Sequence, residues 1–156
     1  MMHCTSSVRH PAVTATVIAL PRDAYDFDYF EQRISDTWLL DRSIAVRTLR
    51  MPFLAVPVGG TRRGGYYSVS CLCFGLKVRD LLLEQPGFPD LRVRWSPYND
   101  TCHTVEWGDA APDWWEDDVV FGRFYGYSES AITSFVRARP QTPSSATSTP
   151  CSPTAS

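Results

Sequence analysis

Between two apolar runs, the segment Phe53–Ser70 (FLAVPVGGTRRGGYYSVS) sets four glycines around Thr61, Arg62 and Arg63. Glycine serves where a backbone turns through positive φ or comes close to another group. Arginine offers a planar fork of donors that matches carboxylate or phosphate. Backbone amides among such glycines can form an anion nest to which Arg62 and Arg63 add charge. An equally good reading is a hairpin tip kept soluble by two arginines. The segment is not a Walker loop, because it lacks the G-K-[ST] ending, and no GxGxxG spacing occurs. Tyr66 and Tyr67 follow the loop and offer flat surfaces for stacking a base or a peptide side chain. They are also good strand residues.

A second cluster, Glu106–Asp118 (EWGDAAPDWWEDD), mixes carboxylates with Trp107, Trp114 and Trp115. Aromatic side chains beside acids suit the docking of a basic partner, and tryptophan is a frequent interface anchor. The plainer expectation is a solvated loop in which one of Trp114 and Trp115 folds back on the core; burying both among so many charges is harder. Asp113, Glu116, Asp117 and Asp118 lack EF-hand spacing.

Cys71-x-Cys73 with Cys102-His103 is the nearest approach to a metal set, but zinc ligands commonly follow C-x2–4-C spacing. The expectation is therefore no metal and no cofactor, with the thiols acting as small hydrophobes. His103, with Asp100 and Glu106 close in sequence, is the candidate centre of an enzyme reading. Cys102 and His103 are neighbours on a strand and point to opposite faces, so they do not form a nucleophile–base pair directly.

These residues need a scaffold, and the composition provides one. The 156 residues are 44% apolar and 13% aromatic, with five tryptophans, enough for one domain with a core of its own. The net charge is −2. Arg9, Arg22, Arg137 and Arg139 flank the body of the chain, so the body itself is more acidic than the total. That balance disfavours broad nucleic-acid binding, which draws on many Lys and Arg contacts to phosphate. Five cysteines, an odd number with Cys4 and Cys151 near the ends, argue against a disulfide framework and for a reduced, cytoplasmic setting. No segment is long enough to span a membrane. Ala12–Leu20 is a weak match to a secretory leader, being short, threonine-diluted and without a cleavage site.

Residues 1–20 read as a flexible extension, 21–139 as the domain, and 140–156, built almost wholly of Pro, Ser, Thr and Ala, as a disordered tail. Inside the domain, Asp23 is placed to cap a helix carrying Phe27, Phe30 and Ile34. Asp36 starts a turn with Trp38, Leu39 and Leu40. Ile44–Arg50, Phe53–Val58, Tyr66–Val69, Leu91–Trp95 and Cys102–Trp107 read as strands. Pro57 limits its strand to an edge. Ser70–Gln85 begins as strand or helix; its length favours a helix capped by Ser70, with Leu72, Leu76, Leu82 and Leu83 inward. Ser128 caps a last helix with Ile132, Phe135 and Val136 inward, stopped by Pro140. The sum is the α+β class: an antiparallel sheet of about four to five strands with two to three helices on one face.

The succession DRSIAVR, LAVPVGGTRRGGY, RVRWSPYNDTCHTVEWG and GRFYGYSESAI resembles a family of small uncharacterised bacterial proteins from high-GC actinobacterial genomes, grouped as a domain of unknown function. The resemblance covers about Asp23–Arg139. It implies a bacterial cytoplasmic protein and assigns no activity, cofactor or catalytic residue. The function expected is a non-enzymatic binding or regulatory module whose partner is another protein. Its candidate residues are Arg62, Arg63, Tyr66, Tyr67, Trp114 and Trp115. One alternative is nucleotide or nucleic-acid binding through Arg62 and Arg63; another is a small enzyme centred on His103 with Cys102 nearby.

Overall fold

The structure, a computed structural model, describes residues 16–98 and 102–140. The expected C-terminal tail beyond Pro140 and residues 1–15 of the expected extension lie outside the described residues. Six strands form: β1 (Val17–Ala19), β2 (Ile44–Arg47), β3 (Pro52–Ala55), β4 (Gly64–Val69), β5 (Arg92–Arg94) and β6 (His103–Gly108). The helices are α1 (Phe27–Glu31), α2 (Leu72–Leu83), α3 (Asp118–Phe124) and α4 (Glu129–Ala138). Two 3-10 segments, Pro21–Asp23 and Thr37–Arg42, complete the set.

The α+β class stands, but the strands divide into two antiparallel sheets of three, ordered β1-β2-β3 and β4-β6-β5. The single sheet of four to five strands is thereby corrected. The cause lies in Ala55–Gly60. Pro57 has no amide to give a ladder, and the Val58 amide donates instead to Gly87 O at 2.9 Å. The chain leaves the first sheet there and enters the second at Gly64. The glycine–arginine segment is thus a connection between sheets, its tight turn closed by the antiparallel Gly59–Arg62 bridge, and not the tip of a hairpin within one sheet.

β2 is buried on both faces. Ile44 and Val46 point toward β4, β6 and α2, joining Tyr67, Val69, Val105 and Trp107 in one core. Ala45 points the other way, with Leu54 and Val56 against Phe27, Ile34, Leu39 and Leu40. The period of two on a strand sends alternate residues to separate cores. Two hydrogen bonds sew the sheets together: Tyr67 Oη donates to Val46 O at 2.7 Å, and Trp107 Nε1 donates to Val56 O at 3.0 Å.

Helix α2 covers the inner face of the second sheet. Gly75, Val78 and Leu82 face inward at i, i+3 and i+7. Gly75 lets the helix approach Val69 and Val93 closely. That tilt leaves Leu72, Leu76 and Leu83 exposed, against expectation, while Leu82 is inside as expected. Cys71, not Ser70, is the N-cap residue. The first apolar helix starts at Phe27 and not after Asp23, which ends a separate 3-10 segment; its N-cap residue Asp26 makes no side-chain cap and accepts the Leu54 amide at 2.8 Å instead. In α4, Ser128 Oγ accepts the Ala131 amide as expected, yet only Ile132 is buried and Phe135 and Val136 are exposed. Helix α3, capped by the Asp117 carboxylate on Val120 N, was not foreseen. β1 lies within the stretch read as an extension and pairs Val17 with Arg47. Among the described residues no helix is long and apolar enough to cross a membrane.

Close packing at Gly65 supplies a test. A Cβ there would lie 2.5–2.6 Å from the Trp107 indole. Gly65→Ala is expected to cost about 1–3 kcal/mol in urea denaturation, with Ser68→Ala on the exposed face of β4 within about 0.5 kcal/mol of the parent. Equal midpoints for the two variants would contradict this packing.

Candidate functional site

The glycine–arginine loop is tied down at every step. Gly59 and Arg62 exchange backbone hydrogen bonds of 3.1 and 2.9 Å. Thr61 N and Oγ1 both donate to Asp36 Oδ2, at 2.8 and 2.7 Å, and these bonds hold the Asp36 carboxyl below its ordinary value. The Arg63 amide donates to Phe124 O at 3.0 Å. Arg62 runs inward and is only 4% exposed. Its Nη1 donates to Tyr125 O at 2.6 Å and its Nε to Val56 O at 3.4 Å. The guanidinium also lies 5.8 Å from the ring centroids of both Phe30 and Tyr125. Gly126, at φ +72°, makes this approach possible, since a Cβ there would sit 2.7 Å from Arg62 Cβ. Burial pushes the Arg62 guanidinium below its ordinary value, and the Tyr127, Tyr125 and Tyr66 phenols act in the opposite sense. Among the described residues no carboxylate forms an ion pair with it. Arg63 stays outside and pairs with Asp109 at 2.8 Å, not with Asp117 or Asp118.

Arg62 lines a cavity of about 350 Å³ between the sheets. One side is built by Tyr29 and Phe30 of α1 with Asp26 before it, and by Phe53 and Leu54 of β3. The other carries Tyr66, Tyr67 and Ser68 of β4, with Tyr125 and Tyr127 from the link between α3 and α4. Burial raises the Tyr67 and Tyr125 phenols to about 12 and raises Tyr127 as well. The hydroxyls are therefore protonated donors across the physiological range.

Tyr66 and Tyr125 meet edge to face at 5.5 Å. Beyond them lies a second, open groove of about 920 Å³ over the outer face of the β4-β6-β5 sheet, opposite α2. Strand alternation puts Tyr66, Thr104, Glu106, Arg92 and Arg94 on its floor. Glu106, its side chain 15% exposed, takes Arg92 at 3.3 Å and Arg94 at 3.7 Å. Arg92 also donates to Gly108 O and Asp109 O, each at 3.0 Å. Trp95, Tyr98, Trp114 and Phe121 also line it. Trp114 is 86% exposed and meets Trp115, 64% exposed, edge to face at 5.7 Å. Neither folds back on the core, which corrects that expectation.

Of the foreseen residues, the structure gathers Tyr66 and Trp114 at the groove and Arg62, Tyr66 and Tyr67 at the cavity. Tyr67 is buried and fastened to Val46. Cys102 lines the groove, whereas the His103 ring accepts the Ser96 amide at Nδ1, 2.9 Å. Cys71 and Cys73 are joined in a disulfide at the start of α2. The expectation of free thiols there is corrected; the bond clips one turn and links no separate elements. Asp26, Tyr29, Trp95, Tyr98, Tyr125 and Tyr127 were missed. The strand expected over Leu91–Trp95 contains β5, but nothing local placed α3 near Arg92 and Arg94.

The chain belongs to the family of unknown function DUF6302, whose model matches residues 18–155. The match extends past both ends of the stretch that carried the resemblance. No curated protein and no solved structure matches the chain.

Asp26 at the cavity edge gives a pH test. Burial raises its carboxyl above 3.8, opposed by the Leu54 amide bond. An acid whose folded pKa exceeds its unfolded one stabilises most when protonated, so this contribution is lost as pH rises from 3.8 through the folded value. Asp26→Asn keeps an acceptor for Leu54 without the charge. It is expected to match or exceed the parent in urea denaturation near neutral pH, with that advantage shrinking toward about pH 4. Asp26→Ala leaves the amide unpaired and loses about 1–2 kcal/mol at both. An advantage for Asn that grows on acidification would refute the assignment.

Proposed function

We propose that this DUF6302 protein is a binding module that seats an extended, basic segment of another protein in the open groove. The observation that carries the reading is the open groove over the outer face of the β4-β6-β5 sheet, lined by Trp95, Tyr98, Trp114 and Phe121. Large aromatic side chains with few rotatable bonds are the usual anchors of protein interfaces. An edge strand, β5, runs along the same face and offers backbone groups to an extended chain.

Charge selects the partner. The floor arginines are engaged with Glu106 and with backbone oxygens. Asp113 borders the groove, and Glu116 and Asp117 stand in the same loop as Trp114. Among the described residues none of the three forms an ion pair. A lysine- or arginine-bearing segment complements those carboxylates and gains cation–π contacts with the indoles. The alternative of a phosphate backbone gripped by Arg62 and Arg63 has less support, since Arg62 is buried and Arg63 is paired with Asp109. An enzyme centred on His103 has less support too, because its Nδ1 is occupied by the Ser96 amide.

Selection from a random peptide display library on the full chain tests the reading. Enriched peptides are expected to place Lys or Arg beside an apolar residue and to bind more weakly as salt rises. Trp114→Ala is expected to cost about 2 kcal/mol of affinity, roughly thirtyfold. Peptides without basic residues, or binding indifferent to Trp114→Ala, would overturn it. So would preferential binding of single-stranded oligonucleotides in a parallel titration.

A further inference from the structure

We propose that the cavity behind Tyr66 and Tyr125 is a second, separate site, which takes a small planar aromatic carboxylate. A pocket this size, about 350 Å³, is at the lower end of small-molecule sites. Its polar inventory is strongly biased toward donors. The Arg62 guanidinium has five N–H groups, of which Nε and Nη1 supply the bonds to Val56 O and Tyr125 O. The phenols of Tyr29, Tyr66, Tyr125 and Tyr127 stand around it; Tyr127 is already hydrogen-bonded to Arg62 and to Tyr29, and Tyr67 is spent on Val46. Asp26 is the sole carboxylate among the lining residues, and one of its oxygens is held by the Leu54 amide.

Such a pocket complements an acceptor-only, anionic group. One buried guanidinium with no carboxylate partner among the described residues matches one negative charge, which favours a monocarboxylate over a phosphate dianion. Asp26 at the edge disfavours a second negative charge further. The remaining walls are rings, Phe30 and Phe53 among them, so the body of the ligand is flat and apolar. Tyr66, exposed and at the boundary with the groove, marks the entrance.

The test is calorimetric titration of the full chain with sodium benzoate, with benzamide as its uncharged counterpart and inorganic phosphate as the anion without a ring. Benzoate is expected to bind with a Kd on the order of 1 mM or tighter. Benzamide and phosphate are each expected to bind at least roughly tenfold more weakly, the loss of a charge-assisted bond or of ring burial. Arg62→Lys keeps the charge but not the fork and is expected to weaken benzoate binding. Because Arg62 also holds the loop, Ser68→Tyr serves as the second variant: it fills the cavity from an exposed strand position. It is expected to abolish benzoate binding while retaining the parent's circular dichroism and unfolding midpoint. Trp114→Ala, which tests the groove, is expected to leave benzoate binding unchanged, so the two readings fail separately. Equal affinity for benzoate and benzamide, tighter binding of phosphate, benzoate binding that survives Ser68→Tyr, or no benzoate binding up to about 20 mM would each overturn the proposal.

Discussion

One backbone oxygen holds the architecture together. Val56 O, at the point where the chain leaves the first sheet, accepts from Trp107 Nε1 of the second sheet and from Arg62 Nε of the connecting loop. A carbonyl has two lone pairs, and here both directions are used. Arg62 then carries the connection onward to Tyr125 O at the C-terminal end of α3. A buried guanidinium is costly to desolvate. Part of that cost is offset by carbonyls whose dipoles point at it, one of them at a helix C-terminus, where positive charge is favoured. Aromatic faces at 5.8 Å offset a further part.

This arrangement explains why the fold has room for a site. The two sheets do not share a ladder, so they are joined by side chains: Tyr67 to Val46, Trp107 to Val56. Joining by long side chains leaves gaps that a continuous sheet would fill. The tyrosine cavity is such a gap, with Arg62 at its base. On the second sheet α2 and β2 pack against the inner face, and α3 and α4 pack on each other, with Gly122 against Ile132. The outer face is therefore left to aromatic side chains and the Arg92–Glu106–Arg94 set.

The sequence made local elements legible wherever one face decides them. The alternation in Ile44–Arg47 and Leu91–Trp95, the Ser128 cap and the long apolar run after Ser70 each led to a real element. What stayed hidden was long-range. β4 pairs with β6 across roughly forty residues, Tyr66 opposite Glu106, and no turn chemistry encodes that partnership. The stripe on α2 misled because Gly75 carries no apolar signal, although it is the closest approach to the sheet. Arg62 illustrates the same limit in the site. Bracketing glycines suggested presentation to solvent, whereas they let the backbone fold tightly enough to turn the side chain inward. The disulfide between Cys71 and Cys73 stayed hidden as well, because a C-x-C spacing carries no signal for it.

The charges, finally, are distributed in a way that the whole-chain balance of −2 conceals. Arg62 is spent inside. Arg63, Arg92, Arg94, Arg123 and Arg139 pair with Asp109, Glu106, Glu129 and Asp118. Exposed pairs of this kind add little stability, but they neutralise the arginines near the groove. The carboxylates left over in the Gly108–Asp118 loop therefore act on a surface whose nearby positive charge is already satisfied. Beside them stand the two most exposed tryptophans of the described chain. Indole faces attract cations and so do carboxylates without an ion pair, so the two features point to the same kind of partner. That agreement between unrelated terms, and not the total charge, is what supports the proposal of a basic protein segment over a nucleic acid.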